Sequence, residues 1–256
     1  MRNIKLILEY EGTNYCGWQT QPNLPTIQGT IEKSLTQLTN TPTQIVGAGR
    51  TDTGVHAEGQ VANFHTASEI PTVAFQKGLN AILPSDIVVS AANEVPANFH
   101  ARFKATSRRY RYTILNRPYR SALLWRTCHF HPKELDVDSI DTICKSIFGR
   151  RDFSSFQKTG SNRINPICEV IDAGCWKNDE FVYIEIEADS FLRGMVRAIV
   201  GTALKCTKDV SGNVDRACNQ FHRILKAKDR SVAGTSAPAN GLALIRVKYN
   251  EKSKRG

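Results

Sequence analysis

Residues 49–56, with the sequence Gly-Arg-Thr-Asp-Thr-Gly-Val-His, place a cation, a carboxylate and an imidazole within seven positions. The apolar alternation of residues 43–46 before them and 60–64 after them predicts two strands joined by this loop. Glycine allows backbone conformations that a side chain forbids, and it lets a ligand approach closely. A polar, glycine-rich loop between strands is therefore a candidate reaction site. The alternative interpretation is a plain hairpin in which Arg50 and Asp52 form a surface ion pair.

The common cofactor-binding motifs do not fit this loop. A dinucleotide fingerprint beginning at Gly47 would need its third glycine where Asp52 stands, and no Gly-Lys-Ser/Thr follows for a phosphate-binding loop. A calcium loop fails because Gly54 and His56 supply no side-chain oxygen. The His-Phe-His segment at 129–131 puts two imidazoles on one strand face, which is too few ligands for zinc.

The length and cysteine content bound the class of protein. At 256 residues the chain can bury a full core, as one large domain or two small ones. No apolar run reaches the length of a membrane span, and charge interrupts the N-terminus too early for a signal peptide. Seven cysteines form an odd set without a Cys-x-x-Cys pair. We therefore expect a cytoplasmic protein with free thiols, and neither a disulfide framework nor a thiolate zinc site.

The net charge of +10 is concentrated in the C-terminal part of the chain. Residues 1–104 carry 7 basic and 8 acidic side chains, whereas residues 105–256 carry 27 and 16. Seven basic side chains and no acidic one lie between Arg102 and Arg120. Such a field favours a polyanionic partner, nucleic acid in particular, over a membrane, since no basic amphipathic helix is evident. A solvated basic face is the simpler alternative.

Residues 105–116 predict a strand with two distinct faces. With a period of two, one face carries Arg108, Tyr110, Tyr112 and Ile114, and the other carries Ser107, Arg109, Arg111 and Thr113. A tyrosine flanked by arginines suits a base beside a phosphate backbone. A half-buried core tyrosine is the more ordinary interpretation of Tyr110.

Residues 191–204 predict a helix with small residues along one edge. Arg193 and Arg197 lie one turn apart, beside a ridge formed by Gly194, Ala198 and Gly201. A ridge without bulk lets another backbone approach closely. We therefore expect this edge to abut a loop and to hold Arg197 in a partly dry place.

The order of the predicted elements indicates an α+β fold with mainly antiparallel sheets. Besides the strands that flank the Asp52 loop, strands are expected at 4–10, 87–95, 105–116, 129–131, 167–176, 181–188 and 242–249, and helices from 26 and at 71–83, 138–148, 191–204 and 214–226. We expect two α+β domains, residues 1–104 with the Asp52 loop and residues 105–256 with the basic surface. Residues 252–255 are expected to form a disordered tail.

Residues 49–57 resemble the signature loop of the tRNA pseudouridine synthase A (TruA) family. Other segments resemble the same family, in the same order, over almost the whole chain. They are residues 9–12, 17–19, 26–29, 99–103, 109–112, 152–156, 195–201 and 241–242. Several motifs in the right order make a far more specific match than any one of them.

The resemblance implies an isomerase that converts uridine to pseudouridine at positions 38 to 40 of the tRNA anticodon stem-loop. It implies the pseudouridine synthase fold, with two subdomains facing across a basic cleft, a homodimer, and no cofactor or metal. By the same resemblance Asp52 is the catalytic nucleophile, Tyr110 stacks on the target base, Arg197 pairs with the aspartate, Arg50 aids base extrusion and Leu242 packs on the pocket floor. Arg109 and Arg111, which flank Tyr110, are expected to bind the substrate as well. Thr53, Gly194 and Ala243 depart from residues frequent in the family, and these departures concern pocket shape.

The chemistry leaves some roles open. A carboxylate beside C1′ could attack that carbon, stabilise positive charge on it or remove the neighbouring 2′ proton. Tyr110 could stack on the base or accept the C5 proton. A non-catalytic tRNA-binding module would explain the basic surface, but not Asp52 in the path of an anionic ligand. A nucleoside or base hydrolase would need a second carboxylate to activate water, for which Glu58 is the nearby candidate.

Overall fold

The computed structural model describes residues 1–161, 164–210 and 212–250. The chain forms two compact units. Unit one contains residues 1–108 and the chain from Leu244 onward, and unit two contains residues 109–243. The sequence placed the whole of the last strand in the second domain, whereas most of that strand belongs to unit one. The predicted tail at 252–255 lies outside the described residues.

Unit one is built on an antiparallel sheet. The strands are β1 (Arg2–Tyr10), β2 (Val46–Gly47), β3 (His56–Thr66) and β4 (Ile87–Val95), and the helices are α1 (Ile27–Thr39) and α2 (Thr72–Ile82). Strand β1 lies between β4 and β3, and the short β2 pairs with Ala62 and Asn63 of β3. Helix α1 begins where it does because the Thr26 hydroxyl accepts a hydrogen bond from the Gly29 amide at 3.2 Å.

Unit two is also built from strands and helices. Its strands are β5 (Ala105–Asn116, from Arg109 onward in this unit), β6 (His129–His131), β7 (Gly149–Asp152), β8 (Ile167–Asn178) and β9 (Phe181–Ala188), and its helices are α3 (Val137–Ser146), α4 (Met195–Val210) and α5 (Val214–Ala227). The strand order is β5-β9-β8-β7, and β6 pairs with β5 in parallel. Helix α3 packs on β8 and β9.

The last strand, β10 (Leu242–Tyr249), follows a short 3₁₀ turn at Ala239–Gly241 and lies beside β3. A strand joins the sheet that satisfies its backbone hydrogen bonds, whatever the distance along the chain. The position of β10 along the chain therefore did not reveal which unit this strand joins. The α+β class and the mainly antiparallel pairing are confirmed.

Three details of the prediction were wrong. Helix α4 begins at Met195 rather than at residue 191, because Gly194 has φ +70°, a left-handed conformation that ends the preceding loop. The β8–β9 hairpin turns on two residues instead of four, with Asp179 at φ +51°. Strand β7 was not predicted, because Gly-Arg-Arg-Asp has no apolar alternation.

All seven cysteines are free, as expected from their odd number. Within the described ranges the chain has no helix that is long and apolar enough to cross a membrane.

Candidate active site

Asp52 lies in the loop between β2 and β3, the position expected from the flanking apolar segments. Its side chain is half-buried and that of Arg50 is exposed. The backbone turns tightly after the aspartate, because the Val55 amide donates to the Asp52 carbonyl at 3.1 Å. Gly54, with φ +74°, completes this turn.

Buried hydrogen bonds hold this loop at several points. The hydroxyls of Tyr10 and Thr51 are hydrogen-bonded at 2.9 Å, and the Trp18 amide donates to the Thr51 carbonyl at 3.0 Å. The Gln60 amide group donates to the Gly49 carbonyl at 2.8 Å. Burial raises the pKa of the Tyr10 phenol to about 12, so this hydroxyl stays neutral near pH 7. The residues on both sides of Asp52 are therefore fixed before any substrate binds.

Two glycines allow the neighbouring chain to approach the loop. A Cβ at Gly17, which has φ +85°, would lie 2.7 Å from the Thr51 carbonyl oxygen. A Cβ at Gly12 would lie 2.1 Å from the Val55 carbonyl oxygen. The amide of Gly12 donates to Nδ1 of the buried His56 at 2.9 Å. This imidazole therefore fixes the loop, and the sequence pattern gave no hint that its role is structural.

In unit two, Tyr110 is only 8% exposed on β5. Its ring meets that of Phe191 edge to face, with centroids 5.0 Å apart. Tyr112, two residues on, is fully buried, and its hydroxyl donates to the Pro238 carbonyl at 2.9 Å. The predicted sharing of one strand face by these tyrosines fits their burial.

Tyr112 also positions the segment that carries Leu242. A Cβ at Gly241 would lie 2.7 Å from the Tyr112 ring, so only glycine allows this approach. Leu242 follows directly and is buried. The side chain predicted to form a pocket floor is thus anchored through the residue before it.

Arg197 lies on α4 and holds the segment that precedes the 3₁₀ turn Ala239–Gly241. Its Nε donates to the Ala237 carbonyl at 2.7 Å, and the Ala237 amide donates to the Arg197 carbonyl at 2.9 Å. A Cβ at Gly201 would lie 1.8 Å from the Thr235 carbonyl oxygen. The prediction that small residues let this helix edge abut a loop is confirmed.

Arg109 and Arg111 have acidic partners within unit two. Arg109 donates to Glu187 at 2.6 and 2.9 Å, to Glu185 at 2.9 Å and to Asp172 at 2.8 Å. Arg111 donates to Glu185 at 2.8 Å. Glu187 is 2% exposed, so its charge requires a close cation. These contacts join β5 to β9 and β8.

A metal centre is not evident in the described part of the chain. His129 and His131 have ring centroids 6.4 Å apart, and burial is the main cause of the lowered pKa of His129. Among residues 1–161, 164–210 and 212–250, no three His, Cys, Asp or Glu side chains are grouped to hold an ion.

Comparison with known proteins identifies the family of this chain. A family model described as tRNA pseudouridine synthase matches residues 6–104 and 143–250. The chain belongs to the tRNA pseudouridine synthase family. A protein named tRNA pseudouridine synthase A from Acetivibrio thermocellus is 44% identical over 97% of this chain and 100% of its own length. Proteins of the same name from Thermoanaerobacter sp. and Geobacter sp. are 41% and 39% identical, over 97% and 98% of this chain and all of their own length.

Within this tRNA pseudouridine synthase, the predicted site residues are divided between the units. Unit one carries Arg50 and Asp52, and unit two carries Tyr110, Arg197, Leu242, Arg109 and Arg111. Sequence reasoning did not predict the contacts that support them, which involve Tyr10, Gln60, His56, Phe191 and Pro238. Gln60, a polar residue beside the apolar residues of this strand, was a visible sign of a buried hydrogen bond.

Proposed function

We propose that this protein converts uridine to pseudouridine in tRNA, at positions 38, 39 and 40 of the anticodon stem-loop. The observation that carries the proposal is the loop of Asp52, a half-buried carboxylate whose neighbours are fixed by buried hydrogen bonds. A pure binding module would gain nothing from a rigidly presented acid facing a polyanion. The names of the relatives support the same reaction.

The reaction breaks the N1–C1′ bond of uridine and forms a C5–C1′ bond. C5 loses its proton, and N1, which carries no hydrogen in uridine, gains one, so the mass is unchanged. In our proposal Asp52 is the nucleophile that attacks C1′ and holds the sugar while the uracil turns. A carboxylate also stabilises positive charge that develops at C1′. A fixed loop keeps the attacking oxygen at the required distance.

The remaining residues have supporting roles in this proposal. Tyr110 stacks on the extruded base, which offsets part of the cost of leaving the helix by about 1–3 kcal/mol. Arg197, as the family resemblance implies, serves as the cationic partner of Asp52. Arg50, which is exposed, contacts the RNA at the site that the base vacates. Leu242 forms the floor of the base pocket.

We also propose that the protein acts in the cytoplasm as a homodimer, without a cofactor or metal. The cytoplasmic setting is supported by the free thiols. The excess of basic side chains supports an RNA substrate, and the family resemblance supports a homodimer that needs no cofactor or metal. In this proposal the domain with the Asp52 loop supplies the nucleophile, and the more basic one supplies Tyr110 and Arg197.

The first prediction tests the reaction through Asp52→Asn, which keeps the side-chain shape and removes the charge. We expect tRNA binding within a few-fold of wild type and a rate lower by about 1,000-fold or more. Tritium release from tRNA labelled at uridine C5 measures the rate, and filter binding measures affinity.

Glu58→Gln is the matched control, because a hydrolase would need this second carboxylate. We expect it to retain activity and to give RNA of unchanged mass. Multiple turnover by Asp52→Asn would refute the catalytic assignment. Free uracil would indicate a hydrolase, and unmodified RNA bound by the wild type would indicate a binding module.

A further inference from the structure

Residues 117–127, here called the aromatic–arginine loop, connect β5 to β6 and expose large apolar side chains. Leu123 is 91% exposed, Tyr119 61% and Trp125 58%. A single exposed apolar residue is ordinary, but a group of them in one loop indicates an interaction surface. The loop lies in the part of the chain that the family model leaves unmatched.

Each exposed ring in this loop lies close to a guanidinium group. Arg117 lies over the Tyr119 ring, 4.3 Å from its centroid, and Arg126 lies over the Trp125 ring at 5.0 Å. Arg120 adds a third cation and is exposed, whereas Arg117 is partly buried and also donates to Glu180 at 2.7 Å. Residues 117–127 include no acidic side chain. A ring beside a cation is the combination that binds a nucleobase and its phosphate.

The backbone of the loop is held in place while its rings stay exposed. The side-chain amide of Asn240 donates to the carbonyls of Trp125 and Cys128, both at 2.8 Å. The hydroxyl of Ser121 accepts from the amides of Leu123 and Leu124 at 3.3 and 3.2 Å. A preformed surface loses less conformational entropy when it binds a partner.

Asn240 also fixes where the loop lies in unit two. It belongs to the 3₁₀ turn Ala239–Gly241, directly before Leu242. The loop is therefore tied to the segment that carries the proposed floor of the base pocket.

We propose that the aromatic–arginine loop is a second RNA-contacting site, which stacks an unpaired nucleotide of the substrate RNA on Trp125. The inference rests on the proposed function for the identity of that RNA, and it extends it to a contact outside the reacting uridine. A second copy of the chain is the competing occupant. A symmetric contact of loop with loop would bring the arginines of both copies together, which disfavours it.

The test uses oligocytidylate, a single-stranded probe that contains no uridine to isomerise. Trp18 is buried, whereas Trp125 and Trp176 are both exposed. A base that stacks on one of the exposed tryptophans therefore quenches the fluorescence of that tryptophan and not that of Trp18. We expect quenching in the wild type and in Trp176→Phe, and little in Trp125→Phe. Trp176 is a matched control because it is 40% exposed but stacks on Tyr183. Quenching that survives in Trp125→Phe and is lost in Trp176→Phe would overturn the proposal.

Affinity and assembly provide a second, independent readout. Trp125→Ala should bind oligocytidylate about 5- to 100-fold more weakly and raise KM for tRNA more than it lowers kcat. Its sedimentation without RNA should match the wild type. A smaller species that binds oligocytidylate normally would assign the loop to contact between copies and overturn the proposal. Wild type that binds oligocytidylate through Trp125 yet forms no pseudouridine in tRNA would refute the proposed function alone.

Discussion

In the proposed function, the side chain of Tyr110 has two distinct groups that meet the substrate, an aromatic ring and a phenolic hydroxyl. The ring is held edge to face against Phe191, which limits its rotation and presents it as a rigid surface. The alternation of β5 was enough to predict which strand face carries this ring. Its partner was not predictable, because Phe191 lies 81 positions away and outside any helix.

A comparison of Tyr110→Phe with Tyr110→Ala separates the two groups. The Phe variant keeps the ring and its contact with Phe191, so we expect substantial activity if Tyr110 mainly stacks. The Ala variant removes the ring, and we expect a loss of about 10- to 100-fold in single-turnover rate. Single-turnover kinetics on labelled tRNA, together with thermal unfolding, measures both effects.

Tyr112→Phe is the control for losing a phenolic hydroxyl on the same strand face. It removes the hydrogen bond to Pro238 and should cost about 1 kcal/mol of stability. Equal impairment of activity in Tyr110→Phe and Tyr110→Ala would show instead that the hydroxyl accepts the C5 proton.

At the scale of elements, the sequence predicted the Asp52 loop and its two strands, since both depend on local patterns. The supports of the loop depend on contacts between distant segments, such as Tyr10 with Thr51 and Gln60 with Gly49. A glycine such as Gly17 indicates a close approach without telling what approaches. For this reason the loop and its flanking strands were predictable from the sequence, and the contacts that hold the loop in place were not.

Helix α4 gives a prediction about one such approach. Gly201→Ala would place a Cβ 1.8 Å from the Thr235 carbonyl oxygen, so the helix and the loop that holds Arg197 must separate. Alanine improves helix propensity by about 1 kcal/mol, yet we expect a net loss of about 1–3 kcal/mol. We expect both the thermal unfolding temperature and the turnover rate on tRNA to fall.

Gly78→Ala in α2 is the matched control in a helix of unit one. Its nearest neighbour would be the end of the Leu38 side chain at 2.8 Å, which is able to change rotamer. We expect stability within about 1 kcal/mol of wild type. If both variants unfolded at the same temperature, the close approach at Gly201 would have no energetic importance.

At the scale of the whole molecule, the basic side chains that produce the positive net charge differ in how exposed they are. Four of the seven basic residues between Arg102 and Arg120 are partly buried and contact carbonyl or carboxylate groups of the protein. They are Arg108, Arg109, Arg111 and Arg117. The other three, Arg102, Lys104 and Arg120, are exposed. A count of charges along the sequence cannot make this distinction, because the acidic partners come from β8, β9 and the turn between them.

The salt dependence of tRNA binding tests which of these cations meet phosphates. Each phosphate that a cation neutralises contributes about −0.9 to the slope of log affinity against log salt on duplex nucleic acid. We expect Lys104→Gln and Arg120→Gln to reduce the slope by about one phosphate or less each, with no change in thermal stability. Arg109→Gln and Arg111→Gln should leave the slope nearly unchanged and lower stability, because Glu187 and Glu185 lose their cations. The slopes come from filter binding between about 50 and 200 mM salt. A reduced slope with wild-type stability in Arg109→Gln would show that this arginine releases its carboxylates to bind the RNA, as the sequence pattern suggested.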